Sequence, residues 1–253
     1  MDIKAWFSEY LDTHRPEGAW SLQADWAVRV CLRLWKATGE EKYRAYVIAW
    51  ADSLIASDGC QPECGKALFF ALDQKGEEKY RDAIMTVMAD LGRTPSTAVL
   101  PAETLYAELP FRMAYEMKLG GMEKVGLAAA AFCRAHEANW NGETGLFAGD
   151  LRQTAKVLLA LTDAIDVCAD QLYEHWRAMV DLYREELRGA LRHGAAADTE
   201  TEAMLLRALQ CGVEMGLIDP ERYLPLLQKR AEALEAAGCR NAAAMLMVKG
   251  GAL

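Results

Sequence analysis

The chain has 253 residues, just over half of them apolar, and a formal charge of −9 at neutral pH. That acidity repels nucleic acid and anionic lipid, no basic stripe offsets it, and no run of about 18 apolar residues offers a membrane span. A chain this long buries roughly 70–75% of its unfolded surface without help from disulfides or a metal.

Apolar residues recur at helical spacing almost throughout, and no segment shows a sustained two-residue alternation. Helix punctuation divides the sequence into twelve predicted helices, at 2–14, 21–38, 40–56, 62–75, 77–92, 102–119, 121–139, 150–167, 169–190, 199–216, 220–237 and 241–249. The opening stretch, MDIKAWFSEYLDTH, carries acids and lacks the basic start and apolar run of a secretory signal, so a cytoplasmic protein is expected. The second and third helices meet at GEEKYR (39–44), and the same hexapeptide returns at 76–81 between the fourth and fifth. Looser echoes begin at Gly120 and Gly216. Each glycine ends one helix as the next begins, which pairs the helices into hairpins. Asp219-Pro220 adds an N-cap followed by proline at the first helical position.

The even-numbered helices are richer in Ala, Leu and Met, as in KALFFAL (66–72) and VLLAL (157–161), while the odd ones carry charged faces. Even helices are therefore expected on the inside of a single all-α domain spanning 1–253, six hairpins closed into an (α/α)6 barrel. The connections from odd to even helices, at 57–63, 93–102 and 139–145, are longer and richer in Gly, Pro and Asn. Placed at one end, they would sit over the N-termini of the inner helices, where the dipoles favour anions.

Seven cysteines, an odd number, fall mostly in apolar helical stretches and are expected as free thiols. Cys60 and Cys64 have no His or Cys partner nearby in the sequence, and neither a metal nor a cofactor is expected. His136 and His175 sit on helices without the partners of a catalytic triad. What remains is a small-molecule or protein partner.

Several segments, in order, resemble the unsaturated uronyl hydrolases of glycoside hydrolase families 88 and 105. TGEEKY (38–43) with WADSL (50–54) is similar to a TGDEKY…WxDxF segment, GKAL (65–68) to PGxAL, LYAELPF (105–111) to LYMxxPF, and ETGLF (143–147) to xTGLF. AM (203–204) with ALQCG (208–212) is similar to SAMxxYALxKG, and AAAMLM (242–247) resembles the last inner helix. The resemblance implies an (α/α)6 barrel acting on a saccharide ended by an unsaturated uronic acid. There, an Asp ahead of LYM serves as general acid and base in hydrating the C4–C5 double bond, after which the sugar link collapses. Glu103 stands at that position. An acid in the first turn after Pro101 is also what the helix dipole favours by itself.

The family's FxHGW stretch is reduced to FAGD (147–150), without its His, and RGxGW is matched by RQTAK (152–156), which keeps an Arg but has no Trp. Arg152 or Lys156 would then grip the substrate carboxylate, or simply form a solvated i,i+4 face. Asp150 and Thr199 stand beside them at inner-helix starts. Thr199-x-x-Glu202 also reads as a capping box. Asp58 and Glu63 lie where the family has a second acid, although Asp58-Gly59 equally reads as a turn. Trp20 could wall a sugar site or pack internally, and so could Trp140. Three readings stay open: a compact, divergent hydrolase; a barrel that binds a sugar or protein without turnover; and another sugar enzyme such as an epimerase, for which the pocket histidines are missing. Oligomeric state cannot be read from the sequence.

Overall fold

The computed structural model describes residues 3–92, 97–168 and 172–247, so parts of the expected 93–102 loop and of the helices drawn at 2–14, 169–190 and 241–249 lie outside the described residues. Twelve α-helices are present among the described residues: α1 (Ile3–Thr13), α2 (Leu22–Thr38), α3 (Glu41–Ala56), α4 (Gly65–Lys75), α5 (Glu78–Leu91), α6 (Ala102–Tyr115), α7 (Val125–Asn139), α8 (Leu151–Val167), α9 (Tyr173–Arg192), α10 (Thr199–Glu214), α11 (Pro220–Ala236) and α12 (Arg240–Met247). A two-residue hairpin, β1 (Trp140–Asn141) with β2 (Leu146–Phe147), lies where a plain loop is expected. The chain divides into two compact units, residues 1–90 with 231–253, and residues 91–230. No helix among the described residues is long and apolar enough to cross a membrane.

In the first unit, Gly39 and Gly76 both take left-handed φ (68° and 65°) and return their N–H groups to Trp35 O and Leu72 O. These turns end α2 and α4, as the repeated hexapeptide predicts, and α3 packs back on α2. Ser21 caps α2 by accepting from Ala24 N at 3.2 Å. Along α2 the row Trp26, Ala27, Val30, Cys31 and Leu34 is buried, and α2 packs against α3 and α12. The segment expected as a helix from residue 62 opens as a single 3-10 turn, Pro62–Cys64, before α4 begins at Gly65.

In the second unit, α8 lies against α6 on one side and α10 on the other, while α7 and α9 cover them. The inner position of α8 and α10 follows from their residues: eleven in each are buried, against seven over the longer α9. Buried Arg112 ties the last turn of α6 to residues 91–92, donating to Leu91 O at 2.8 Å and Gly92 O at 2.9 Å while pairing with Glu108 at 2.9 Å. The helix expected over 102–119 changes to a π turn at Glu116–Gly120 and ends on Gly121 at φ 77°. Asp219 accepts from Glu221 N at 2.9 Å, so α11 starts at Pro220 as read.

Candidate functional site

The 91–230 unit brings the first turns of α6, α8 and α10 side by side, and four charged side chains link them. Lys156 Nζ lies 3.0 Å from Glu103 Oε1. Arg152 Nη2 lies 2.6 Å from Glu200 Oε1. Because Arg152 and Lys156 are four residues apart on α8, they share a face, one cation reaching α6 and the other α10.

The hydrogen bond from Lys156 holds the Glu103 carboxyl below the usual range, and Arg152 adds to the effect. Glu103 is therefore an ionised carboxylate at neutral pH. Its side chain is 62% exposed and Lys156 19%, while Arg152 and Glu200 are 48% and 42% exposed. Pairs this open contribute at most about 1 kcal/mol each. Neither pair therefore locks its cation in place.

The loop before α8 is set by the hairpin. Asn141 Oδ1 accepts from Glu143 N and Thr144 N (3.0 and 3.1 Å), Gly145 turns the chain at φ 68°, and Ala148 N donates to Asn139 O at 2.7 Å. Phe147 N donates to buried Thr154 Oγ1 at 3.0 Å, tying β2 to the first turns of α8. Ala148 takes φ 51° and Gly149 70° in the FAGD segment; left-handed backbone at a residue with a Cβ costs roughly 1 kcal/mol. Asp150 then caps α8, accepting from Gln153 N at 2.8 Å.

At α10 the expected capping box is displaced by one residue. Asp198, not Thr199, is the N-cap, accepting from Thr201 N at 2.8 Å, and this bond holds its carboxyl below the ordinary value. Thr199 is the exposed first residue of α10. Glu202 instead accepts from Ala196 N at 2.8 Å and pairs with Arg230.

Trp20, Asp58 and Glu63 belong to the first unit. Trp20, half-buried, sets its ring edge-on to Trp50 with centroids 5.7 Å apart. Asp58 is exposed in a left-handed turn at φ 54°, and neighbouring Ser57 Oγ donates to Gly18 O at 2.8 Å. A Cβ on Gly59 would come within 2.4 Å of Gly18 O, so the Trp20 and Asp58 loops meet through two glycines. Glu63 is half-buried in the 3-10 turn ahead of α4.

The sequence places Glu103, Arg152 and Thr199 at inner-helix starts and Lys156 one turn beyond Arg152, but does not show the pairing of these cations with Glu103 and Glu200. The available signal was a first-turn acid on the helix to either side of two cations spaced i,i+4.

His136 belongs to a different cluster, with Nδ1 2.9 Å from fully buried Glu186 Oε1, Nε2 3.5 Å from Glu185 Oε2, and its ring 4.8 Å from Trp140. The Glu186 hydrogen bond raises the His136 pKa above its usual 6.5, and burial raises that of Glu186. A group whose pKa is higher folded than unfolded contributes stability that is complete below its unfolded value and lost as pH climbs through the folded one. Both groups act in that direction, so urea unfolding between about pH 4 and about pH 9 should show stability falling as pH climbs, first above 4.5 through Glu186 and then above 6.5 through His136. The double variant His136→Phe/Glu186→Leu, which removes both titrating groups, should flatten that decline, and an unchanged slope would show that the pair does not govern it.

No protein-family model matches the sequence, and no curated protein matches it. In fold the chain is similar to three solved structures. One is a glycoside hydrolase from family 105 of C. acetobutylicum, with TM-score 0.77 and 15% identity over 92% of this chain and 82% of that one. Another is a possible member of family 105 from Salmonella enterica, with TM-score 0.72 and 12% identity over 90% and 81%. The third is a polysaccharide lyase, with TM-score 0.66 and 16% identity over 92% and 82%. The likeness shows the fold, the all-α (α/α)6 class expected from the sequence.

Proposed function

We propose that the chain is a glycoside hydrolase acting on oligosaccharides that end in an unsaturated uronic acid. The observation that supports this most directly is the α6–α8–α10 array, in which a carboxylate that can exchange a proton lies 3.0 Å from a cation that can bind a uronate. The fold shared with a structure described as a glycoside hydrolase from family 105 and another described as a possible member supports the glycosidase reading.

In this reading the substrate carboxylate takes Lys156 and Arg152 away from Glu103 and Glu200. Freed of its lysine, Glu103 gains proton affinity and takes a proton from solvent before the sugar reacts. It gives that proton to C4 of the double bond, water adds its oxygen to C5 and returns a proton to the carboxylate, and the hydrated sugar opens, releasing its link. Asp150, two residues before Arg152, and Thr199, next to Glu200, are assigned to substrate contacts. Seven free cysteines suit a reducing compartment, and the cytoplasm is the proposed location.

A second reading, a binding protein without turnover, is favoured by FAGD standing where the resembled family has a His and a Trp. Both are tested with an unsaturated digalacturonide, followed through loss of its double-bond absorbance. Glu103→Gln should lower the rate by about 10²–10⁴-fold with the melting temperature nearly unchanged, because the side chain is mostly exposed. A fast enzyme indifferent to the substitution would rule out Glu103 as the proton carrier. Thermal stabilisation by the uronide without turnover would establish the binding reading instead.

A further inference from the structure

Lined by none of the residues of the α6–α8–α10 array, a groove of about 450 Å³ runs between α9 and α11 within the 91–230 unit, formed by Arg188, Leu191, Arg192, Arg222, Tyr223 and Leu226. Its volume falls in the range of small-molecule sites. Arg188 and Arg192 stand one helical turn apart on α9, roughly 6 Å along its axis, and Arg222 faces them from α11. All three are exposed.

What marks the groove is that its cations are unused. Arg177 and Arg184 pair with Asp181 at 3.8 and 4.0 Å, Arg207 with Glu214 at 3.5 Å, and Arg230 with Glu202. Among the described residues Arg188, Arg192 and Arg222 have no carboxylate within ion-pair distance. Arg188 Nε donates only to the Arg184 carbonyl at 3.1 Å, and the Arg222 guanidinium lies 5.2 Å from the centre of the Tyr223 ring. Three unpaired guanidinium groups around one groove, in a chain of charge −9, are an uncompensated positive patch. Leu191, Tyr223 and Leu226 give that patch an apolar floor. A compact anion would reach one or two of cations spread over two helices. A chain of flat rings, each carrying a carboxylate, would meet them in succession and lay its apolar faces on the floor.

We propose that the α9–α11 groove is a second saccharide site, binding an acidic oligosaccharide with two or more uronate carboxylates. The choice of saccharide rests on the function proposed above; the anionic character of the ligand rests on the groove alone. The probe is saturated trigalacturonate, which has no double bond to hydrate, titrated calorimetrically into the whole protein. The triple variant R188Q/R192Q/R222Q should weaken binding about tenfold or more, and about 0.5 M salt should do the same to the wild type. Glu103→Gln should leave this binding in place. Unaltered affinity in the triple variant, or loss of binding in Glu103→Gln alone, overturns the proposal. Arginine-dependent binding of pyrophosphate with none of trigalacturonate also overturns it, leaving a phosphate site. Turnover of the unsaturated digalacturonide, assayed separately, reports on the proposed function: its absence would sink that reading while groove binding still stands or falls by the triple variant. Should the triple variant fold poorly, R192Q alone, judged by the salt dependence it removes, decides between the same outcomes.

Discussion

Gly189→Ala is expected to destabilise the 91–230 unit by about 3 kcal/mol. Gly189 lies inside α9, where alanine would ordinarily stabilise a helix by up to about 1 kcal/mol. The surroundings reverse that sign. A Cβ here would stand 1.7 Å from Gly145 O, 2.8 Å from its carbonyl carbon and 3.1 Å from the Trp140 ring. The first two atoms are backbone of the β1–β2 hairpin and cannot rotate away, so the hairpin itself must shift. Its displacement would strain the Phe147 N to Thr154 Oγ1 bond and, through it, the start of α8 that carries Arg152 and Lys156. Chemical denaturation of Gly189→Ala beside Gly142→Ala checks this. Gly142, in the same hairpin, has nothing within 4 Å of an added Cβ, and its substitution should change stability little. Equal effects in the two variants would mean that the hairpin yields easily and that the close approach does not hold α8 in place.

That contact shows where sequence reading stops. Twelve helices are legible because each repeats its apolar residues at helical spacing over two or more turns, and because Gly39 and Gly76 mark stops that need a left-handed φ. The inner place of α8 follows from VLLAL (157–161), whose residues are buried without a break. The hairpin at 140–147 escapes notice because two-residue strands are too short to alternate. The cap of α10 slips by one residue because Asp198 and Thr199 are both good N-caps, and only backbone geometry decides between them. Spacing along one helix identifies Arg152 and Lys156 as neighbours. That their partners are acids 48 and 53 residues away depends on which helices lie side by side, and no local pattern records it. For the same reason Gly189 reads merely as a weak helix former.

Arg230→Ala is expected to cost about 3–5 kcal/mol, several times the effect of Lys156→Ala, although each substitution removes one cation from one glutamate. Burial makes the difference. The Arg230 and Glu202 side chains are 11% and 9% exposed, and the guanidinium meets both carboxylate oxygens through Nε and Nη2. Glu202 also accepts from Ala196 N at 2.8 Å, and Arg230 Nη2 donates to Gly194 O at 3.1 Å, so the pair closes the 193–198 loop over the start of α10. Without the arginine, an almost buried carboxylate keeps a single backbone donor and must either remain charged in a poorly solvated place or take up a proton. Lys156→Ala leaves an exposed Glu103 that water can solvate, and should change stability by no more than about 1 kcal/mol. Urea denaturation of the two variants measures the contrast. The double variant Arg230→Met/Glu202→Leu should recover most of the loss, since an apolar pair of similar volume leaves no charge uncompensated. Failure of the double variant to recover stability would trace the cost to the loop bonds at Gly194 and Ala196 rather than to the orphaned carboxylate. Equal effects of Arg230→Ala and Lys156→Ala would show that burial does not separate the two pairs.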